Sequence, residues 1–266
     1  MTKLGLVALR VDSFAGFVFV SLNEKIEPLE DYLGEITEPL REPLGTVPLE
    51  VFHFSKAVLR TNWKLFNENN TERYHAMLHV LNRKTAPWVL DRTSPMKLRV
   101  HRNGHGGYWS DGSGKATYAN AGHSGIGAHP LPGMQEDELR VINFFPDVVI
   151  NIRSNVVRID RMIPLDPGHT LLEWRGLGVR GDPPEVRELR LRHHNTFWGP
   201  AGRNLPEDIL AVESQYRVMP ADAVRYSIIA REEDFNPTDD VSVRAYYGEW
   251  GRRMNRLASA PFGSAE

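Results

Sequence analysis

Two histidines one helical turn apart, His75 and His79, lie in the run 61–82, TNWKLFNENNTERYHAMLHVLN, which has no Pro and no Gly. Side chains at i and i+4 sit above one another on a helix, so this pair can grip one metal ion. With residues about 100° apart around the axis, Glu68, Glu72, His75 and His79 fall within an arc of roughly 60°. Trp63, Phe66, Asn70, Tyr74, Met77 and Leu78 share another face and read as the core stripe. Glu72, about a turn before His75, can hold an imidazole by its second nitrogen. His-x3-His also occurs on ordinary surface and core helices, so the spacing alone does not decide for a metal. His101, His105, His123 and His129 could form a second cluster, although loop histidines are usually just solvated.

Composition narrows the chemistry. The 266 residues are 41% apolar and 25% charged with a formal charge of -2, an ordinary globular balance without electrostatic attraction for nucleic acid or anionic lipid. No apolar run reaches the length of a membrane span and no signal-peptide pattern opens the chain, so a cytoplasmic protein is the default expectation. There is no cysteine. Disulfides, thiolate nucleophiles and any iron–sulfur cluster held by these residues are excluded.

The elements that must position the histidines follow from pattern. Strands are expected at 4–11 and 15–23, and a short helix at 26–34 closed by Gly34. A strand at 49–59 leads into the histidine helix, and another follows at 96–101 after a polar connection at 82–95. The stretch 103–133, rich in Gly, His, Ser and Ala, suits a lid over a pocket or a hairpin with long turns. Four strands at 138–145, 148–154, 155–164 and 170–179, joined by short connections, form an antiparallel meander. Pro183 and Pro184 open a helix with Asp182 as a possible cap. A further helix at 205–219 carries Leu205, Ile209, Val212 and Tyr216 as its apolar stripe, with two acids in the first turn. The helix expected at 238–257 packs through Val243, Tyr246, Tyr247, Trp250, Met254 and Leu257. No repeat or linker divides the chain, which reads as one domain, 1–266.

Residues 62–75, NWKLFNENNTERYH, resemble the iron-site helix of Rieske-type aromatic-ring-hydroxylating oxygenases, large (alpha) subunit. There Asn-Trp-Lys is followed by Glu-Asn, an acid and Tyr-His. The second histidine of the family usually comes after four intervening residues; here Ala76, Met77 and Leu78 make three. GFVFVSLN at 16–23 is similar to the exit from the family's Rieske domain, and TDDVSVRAYYGEW at 238–250 to its carboxy termini. Pro-Glu-Asp at 206–208 resembles the segment bearing the third iron ligand, which maps to Asp208.

The resemblance implies an α+β fold, a curved antiparallel sheet with a long carboxy-terminal helix across it, in the START-like helix-grip arrangement. It implies Fe(II) held by His75, His79 and Asp208, the facial triad of non-haem oxygenases, whose open positions admit dioxygen beside an aromatic substrate. Glu72 would link an iron ligand to the cluster of a neighbouring subunit and Asn69 would lie near the iron, while Trp198, ahead of Asp208, is a candidate for the substrate pocket; Asn69 could equally bond its helix neighbours and Trp198 sit in the core. The resemblance does not name the substrate; for an aryl acid, Arg203 is a candidate partner of the carboxylate. Electrons would come from a ferredoxin or reductase through a [2Fe-2S] Rieske centre in a partner or a domain outside these residues. A homo-oligomer, or a hetero-oligomer with a small beta subunit, is implied as well. On this view the chain is a catalytic domain without its Rieske domain: a fragment, a truncated product or a stand-alone form.

Two rivals belong to other classes. A zinc hydrolase of the zincin type needs Glu directly after the first His, and position 76 is Ala. A non-enzymatic module would use the cavity between helix and curved sheet to bind an apolar molecule, with no metal at all.

Overall fold

The computed structural model describes residues 6–80, 96–110, 125–136, 138–219, 229 and 239–256. The connection expected at 82–95, His123, Leu257 and much of the 103–133 segment lie outside these residues. Seven antiparallel strands make one sheet in the order β3-β9-β8-β7-β6-β5-β4, with β3 Leu49–Leu59, β4 Met96–Val100, β5 Gly106–Ser110, β6 Leu139–Phe144, β7 Val148–Arg153, β8 Val156–Asp166 and β9 His169–Val179. The meander from β6 to β9 and the strand at 49–59 match the pattern in the sequence. A separate hairpin, β1 Arg10–Phe14 and β2 Phe17–Ser21, packs Phe14, Phe17 and Phe19 against Phe144 at ring distances of 6.5, 6.4 and 6.1 Å.

Alternation along the central strands gives the sheet two different faces. Ile150, Ile152 and Val157 point into a core that also takes Leu33, Ile36 and Leu40 from helix α1 Leu29–Leu33, helix α2 Glu38–Gly45 and the 3-10 turn Gly34–Thr37 between them. Gly34 closes α1 with φ 59°, a backbone state that other residues adopt only under strain. The opposite face carries Leu139, Val141, Val149 and Met162 toward the remaining helices: α3 Trp63–Thr71, α4 Pro184–Trp198, α5 Leu205–Val218 and α6 Val241–Arg253. On that second face Asn151, Arg153, Arg158 and Asp160 stand where apolar side chains would be expected, and all four are buried.

The sequence reading of one helix over 61–82 needs correction. Asn62 caps α3 by accepting from the Lys64 N–H at 3.1 Å, but the helix ends at Thr71, and Glu72 is extended with φ -92° and ψ 166°. Asn70 donates to the Phe66 carbonyl and Thr71 to the Asn67 carbonyl, each at 2.8 Å. Short polar side chains that bond backbone in this way compete with helix propagation, which accounts for the break in an Asn-rich run. A separate 3-10 turn, Tyr74–Met77, follows. The extended step rotates what comes after it, so Tyr74 and Leu78, expected in the core stripe, are 43% and 60% exposed.

Other local expectations change too. Asp182 does not cap α4; it pairs with Arg190, whose Nε donates to Asp182 Oδ2 at 2.6 Å. Helix α6 is 13 residues long, ends at Arg253, and packs on β4, β5 and the turn Arg102–Gly104 at one end of the sheet. Tyr246 of its aromatic stripe is buried, whereas Met254 is exposed. His101 stacks on Trp109, while His105 is tied to the backbone elsewhere. No metal-capable cluster forms from these loop histidines among the described residues.

Candidate metal centre

The extended step at Glu72 builds the first half of the site. Glu72 Oε2 accepts the His75 backbone N–H at 3.0 Å, in the manner of a cap on the 3-10 turn, and its Oε1 takes the His75 ring Nδ1 at 2.6 Å. One buried carboxylate therefore fixes both the turn and the ring. His79 follows just past the turn, with ring centres 5.5 Å apart and planes at 76°.

Helix α5 supplies the second half. Pro206 stands in its first turn, where the missing N–H costs nothing. Glu207 and Asp208 follow, about 100° apart on the helix, and bracket His79 from two sides. Glu207 Oε2 meets His79 Nδ1 at 2.7 Å, and Asp208 Oδ1 stands 3.2 Å from His79 Nε2. Asp208 Oδ1 is also 3.6 Å from His75 Nε2. The turn between α4 and α5 that sets this approach depends on Gly202: a Cβ there would meet the Phe197 carbonyl oxygen and the Gly199 nitrogen, both at 2.8 Å.

One donor atom from each of His75, His79 and Asp208 lies within 4.8 Å of the others. Among the described residues this is the one such cluster of three. Each imidazole uses Nδ1 on a carboxylate, which places the ring proton there and turns the Nε2 lone pair toward the shared centre. Asp208 Oδ1 is buried and accepts no hydrogen bond, a costly state for a carboxylate oxygen unless a cation completes it. Electrostatics agree. Burial alone would lower the His75 pKa, but the Glu72 carboxylate, helped by Asp208, outweighs it and raises the value. Burial alone would raise the Asp208 pKa, yet His79, His75 and Arg158 together hold it below the usual carboxylate range. Two nitrogens and one oxygen, with positive charge favoured between them, fit a divalent first-row metal such as Fe(II).

A cavity of about 30 Å³ opens beside this cluster. Trp198 lines it, together with Asn70, Arg73 and Arg153, whereas Asn69 and Arg203 are not among its walls. Arg203 instead lies over the Phe197 ring at 5.0 Å. Glu68, expected beside the ligands, accepts from the Tyr247 hydroxyl at 2.8 Å. The sequence reading missed Glu207, Arg73, Arg153 and Arg158. Glu207 had a helix-dipole explanation that hid it; Arg153 and Arg158 were detectable as charges at inward positions of otherwise apolar strands.

The model for the ring hydroxylating alpha subunit, catalytic domain, matches residues 47–255. The chain belongs to this family. It is 35% identical over 259 residues to the 2-aminobenzenesulfonate 2,3-dioxygenase alpha subunit of Alcaligenes sp, covering 97% of this chain and 65% of that protein. It is 36% identical over 262 residues to the methanesulfonate monooxygenase hydroxylase alpha subunit of Methylosulfonomonas methylovora, covering 97% and 62%. The chain thus spans less than two thirds of either relative. In fold the chain is similar to naphthalene 1,2-dioxygenase from Rhodococcus sp., with a TM-score of 0.72 at 17% identity over 94% of this chain and 67% of that one. Its α+β architecture is that of the Rieske oxygenase catalytic domain, and no helix among its described residues is long and apolar enough to cross a membrane.

Proposed function

We propose that these residues are the catalytic part of an oxygenase that inserts dioxygen-derived oxygen into a small organic acid at an Fe(II) held by His75, His79 and Asp208. The observation that carries this reading is the convergence of two carboxylate-backed imidazoles on one unsatisfied aspartate oxygen. Iron bound there would supply dioxygen activation. The chain's own part is orientation: Glu72 and Glu207 hold the two rings by Nδ1, and Asp208 stays ionised opposite them. The names of the two relatives, a 2-aminobenzenesulfonate dioxygenase and a methanesulfonate monooxygenase, support an organic sulfonate or a related organic acid as the substrate class here.

Electrons must come from cysteine-bearing elements outside these residues, because the sequence holds no thiolate for a [2Fe-2S] cluster. We assign that supply to a Rieske centre fed by a ferredoxin or reductase. Glu72 is its entry point, bonded to His75 and placed to orient that ligand toward a cluster on a neighbouring subunit. Metal analysis after anaerobic reconstitution tests the reading. One iron per chain is expected; stoichiometric zinc in preference to iron would favour a hydrolase, and no metal an apolar binder. Hydroxylation by the iron-loaded chain with a reductase alone, without any iron–sulfur protein, would refute the electron-supply argument.

A further inference from the structure

Helix α4 lies on strands β8 and β9, and its inner face carries two buried side chains one turn apart, Arg190 and His194. The strand beneath them is bare at two alternate positions. A Cβ on Gly176 would meet His194 Cδ2 at 2.7 Å and Nε2 at 2.8 Å, and one on Gly178 would meet Arg190 Cδ at 2.8 Å. Four residues of helix advance about 6 Å and two residues of strand about 6.6 Å, so the two side chains and the two gaps run in step. Phe52 fills the rest. It sits at the bulge where the register of β3 on β9 shifts between Val51 and His53, and its ring covers the same stretch, with Cε2 2.9 Å from a Cβ on Gly176 and Cε1 3.0 Å from one on Gly178.

The two contacts differ in stiffness. Arg190 is anchored through its guanidinium, to Asp182 and to the carbonyls of His129 and Asn155, and its Cδ is a mid-chain atom that bends easily. His194 presents a rigid ring. That ring stands edge-on to Phe52 and Trp198, with centres 5.7 and 5.4 Å away and planes at 88° and 70°, and its centre is 4.4 Å from that of His53. Close packing on three sides keeps it from swinging aside, so it sets the depth at which α4 rests on the sheet.

That depth reaches the metal cluster through a link with little slack. The Gly199 N–H donates to the Asn195 carbonyl at 3.1 Å, that of Arg203 to Thr196 at 2.9 Å and that of Asn204 to Phe197 at 3.0 Å, which fastens residues 199–204 to the last turn of α4. The Asn204 carbonyl then accepts the Glu207 and Asp208 N–H groups at 2.9 and 3.0 Å. One turn further on, Thr61 holds α5 by donating to the Val212 carbonyl at 3.1 Å. A movement of α4 therefore arrives ahead of that anchor, in the first turn of α5, where Asp208 stands.

We propose that His194 is a positioning residue for the metal centre: seated over Gly176, it fixes α4 and, through the 199–204 link, places Asp208 opposite His75 and His79. The inference rests on the metal-centre part of the proposed function. Magnitudes favour transmission. Carbon atoms pack at about 3.5–4.0 Å, so a methyl at position 176 must lift the ring by roughly 1 Å. Donors around a metal are held to within about 0.2 Å, so a fraction of that displacement already spoils the site.

Titration of the full chain with Co(II), whose visible spectrum reports donor geometry, tests this beside iron uptake. Gly176→Ala is expected to weaken binding of both ions roughly 10- to 100-fold, the range for groups that orient a ligand without touching the metal, and to alter the Co(II) spectrum at saturation. His194→Ala, which removes the seat, should weaken binding as well. The added methyl then has no imidazole to push, and half-buried Phe52 can yield. The double variant is therefore expected to match His194→Ala within about twofold instead of showing the product of the two losses. Ile36→Val, which trims the core on the other face of the sheet, is the control and must leave metal binding unchanged. Wild-type binding and spectrum in Gly176→Ala, or losses that multiply in the double variant, would overturn the positioning role. If circular dichroism shows Gly176→Ala unfolded, His194→Ala decides, and an unchanged Co(II) spectrum there refutes the role. Co(II) binding that depends on His194, in a chain that takes up zinc in preference to iron, would sink the oxygenase reading and leave the positioning role standing.

Discussion

His79 and His105 are both buried, at 3% and 0% exposure, and they sit in opposite chemical situations. Behind His79 stands a carboxylate, Glu207 on Nδ1, and in front of it a second one, Asp208 near Nε2. The hydrogen bonds of the His105 ring go only to backbone: Nε2 donates to the Tyr32 carbonyl at 3.0 Å and Nδ1 accepts the Phe145 N–H at 3.0 Å. Both nitrogens of His105 are satisfied by neutral backbone groups and no carboxylate is bonded to the ring, so burial outweighs the Tyr32 carbonyl and pushes its pKa down to about 4. The acid behind the ring, rather than burial, separates a candidate metal ligand from a structural strut.

Removing a ligand should give the largest effect. His79→Ala or Asp208→Ala is expected to abolish stoichiometric iron binding, with a loss in affinity beyond the roughly 100-fold typical of groups that only support a ligand. Metal content after gel filtration reads this out. His105→Gln must leave iron content unchanged; loss of iron there would erase the distinction between the two histidines.

The strut predicts a pH dependence instead. The His105 pKa is depressed on folding, so between about 6.5 and about 4 the unfolded chain binds a proton that the folded chain does not. Stability contributed by the neutral ring is complete above 6.5 and is lost as pH falls toward 4. The gap of about 2.5 units amounts to about 3 kcal/mol at about 1.36 kcal/mol per unit. His194, pushed down to about 3 mainly by burial, adds the same sign. Urea denaturation from pH 7 to pH 4 checks the slope, which His105→Gln should flatten; an unchanged slope would count against the strut.

The carboxylates behind the rings sharpen the contrast. Glu207→Gln and Glu72→Gln each keep a hydrogen-bonding side chain but remove the charge that raises ligand basicity, and iron affinity is expected to fall about 10- to 100-fold. Competition with a chelator measures it. Glu72→Gln should also weaken the 3-10 turn, because the same side chain accepts the His75 backbone N–H at 3.0 Å; Glu207 accepts the Val80 backbone N–H only at 3.5 Å, so its replacement has the smaller structural effect. Equal effects of the two on thermal stability would contradict that division.

Much of this was legible before any coordinates. The meander, the strand 49–59 and the helices after Pro183 and Asn204 follow from periodicity and proline signals, and the three side chains of the candidate metal cluster from the resemblance at 62–75 and 206–208. The break at Glu72 was not, because helix propensity and the absence of Pro and Gly both favoured continuation, while the side-chain bonds of Asn70 and Thr71 that end it are visible only in three dimensions. The arginine wall was hidden for a related reason. Whether an inward charge at Arg153 meets solvent, a carboxylate or a cavity depends on what the helices lay across the sheet, and that is a property of packing rather than of the strand.

The smallest expected effect concerns Glu68, which the helical wheel grouped with His75 and His79 and which is bonded instead to Tyr247. Burial raises its pKa, and the Tyr247 hydroxyl, donating to the carboxylate, partly offsets that rise. Tyr247→Phe removes one buried hydrogen bond to an acid and is expected to cost about 1–2 kcal/mol in stability. Its effect on iron affinity should be nil, since Glu68 touches neither imidazole among the contacts of the site. Chelator competition on Tyr247→Phe therefore asks whether acids near a histidine suffice or only acids bonded to its ring, and a fall in iron affinity comparable with Glu207→Gln would show that proximity alone is enough.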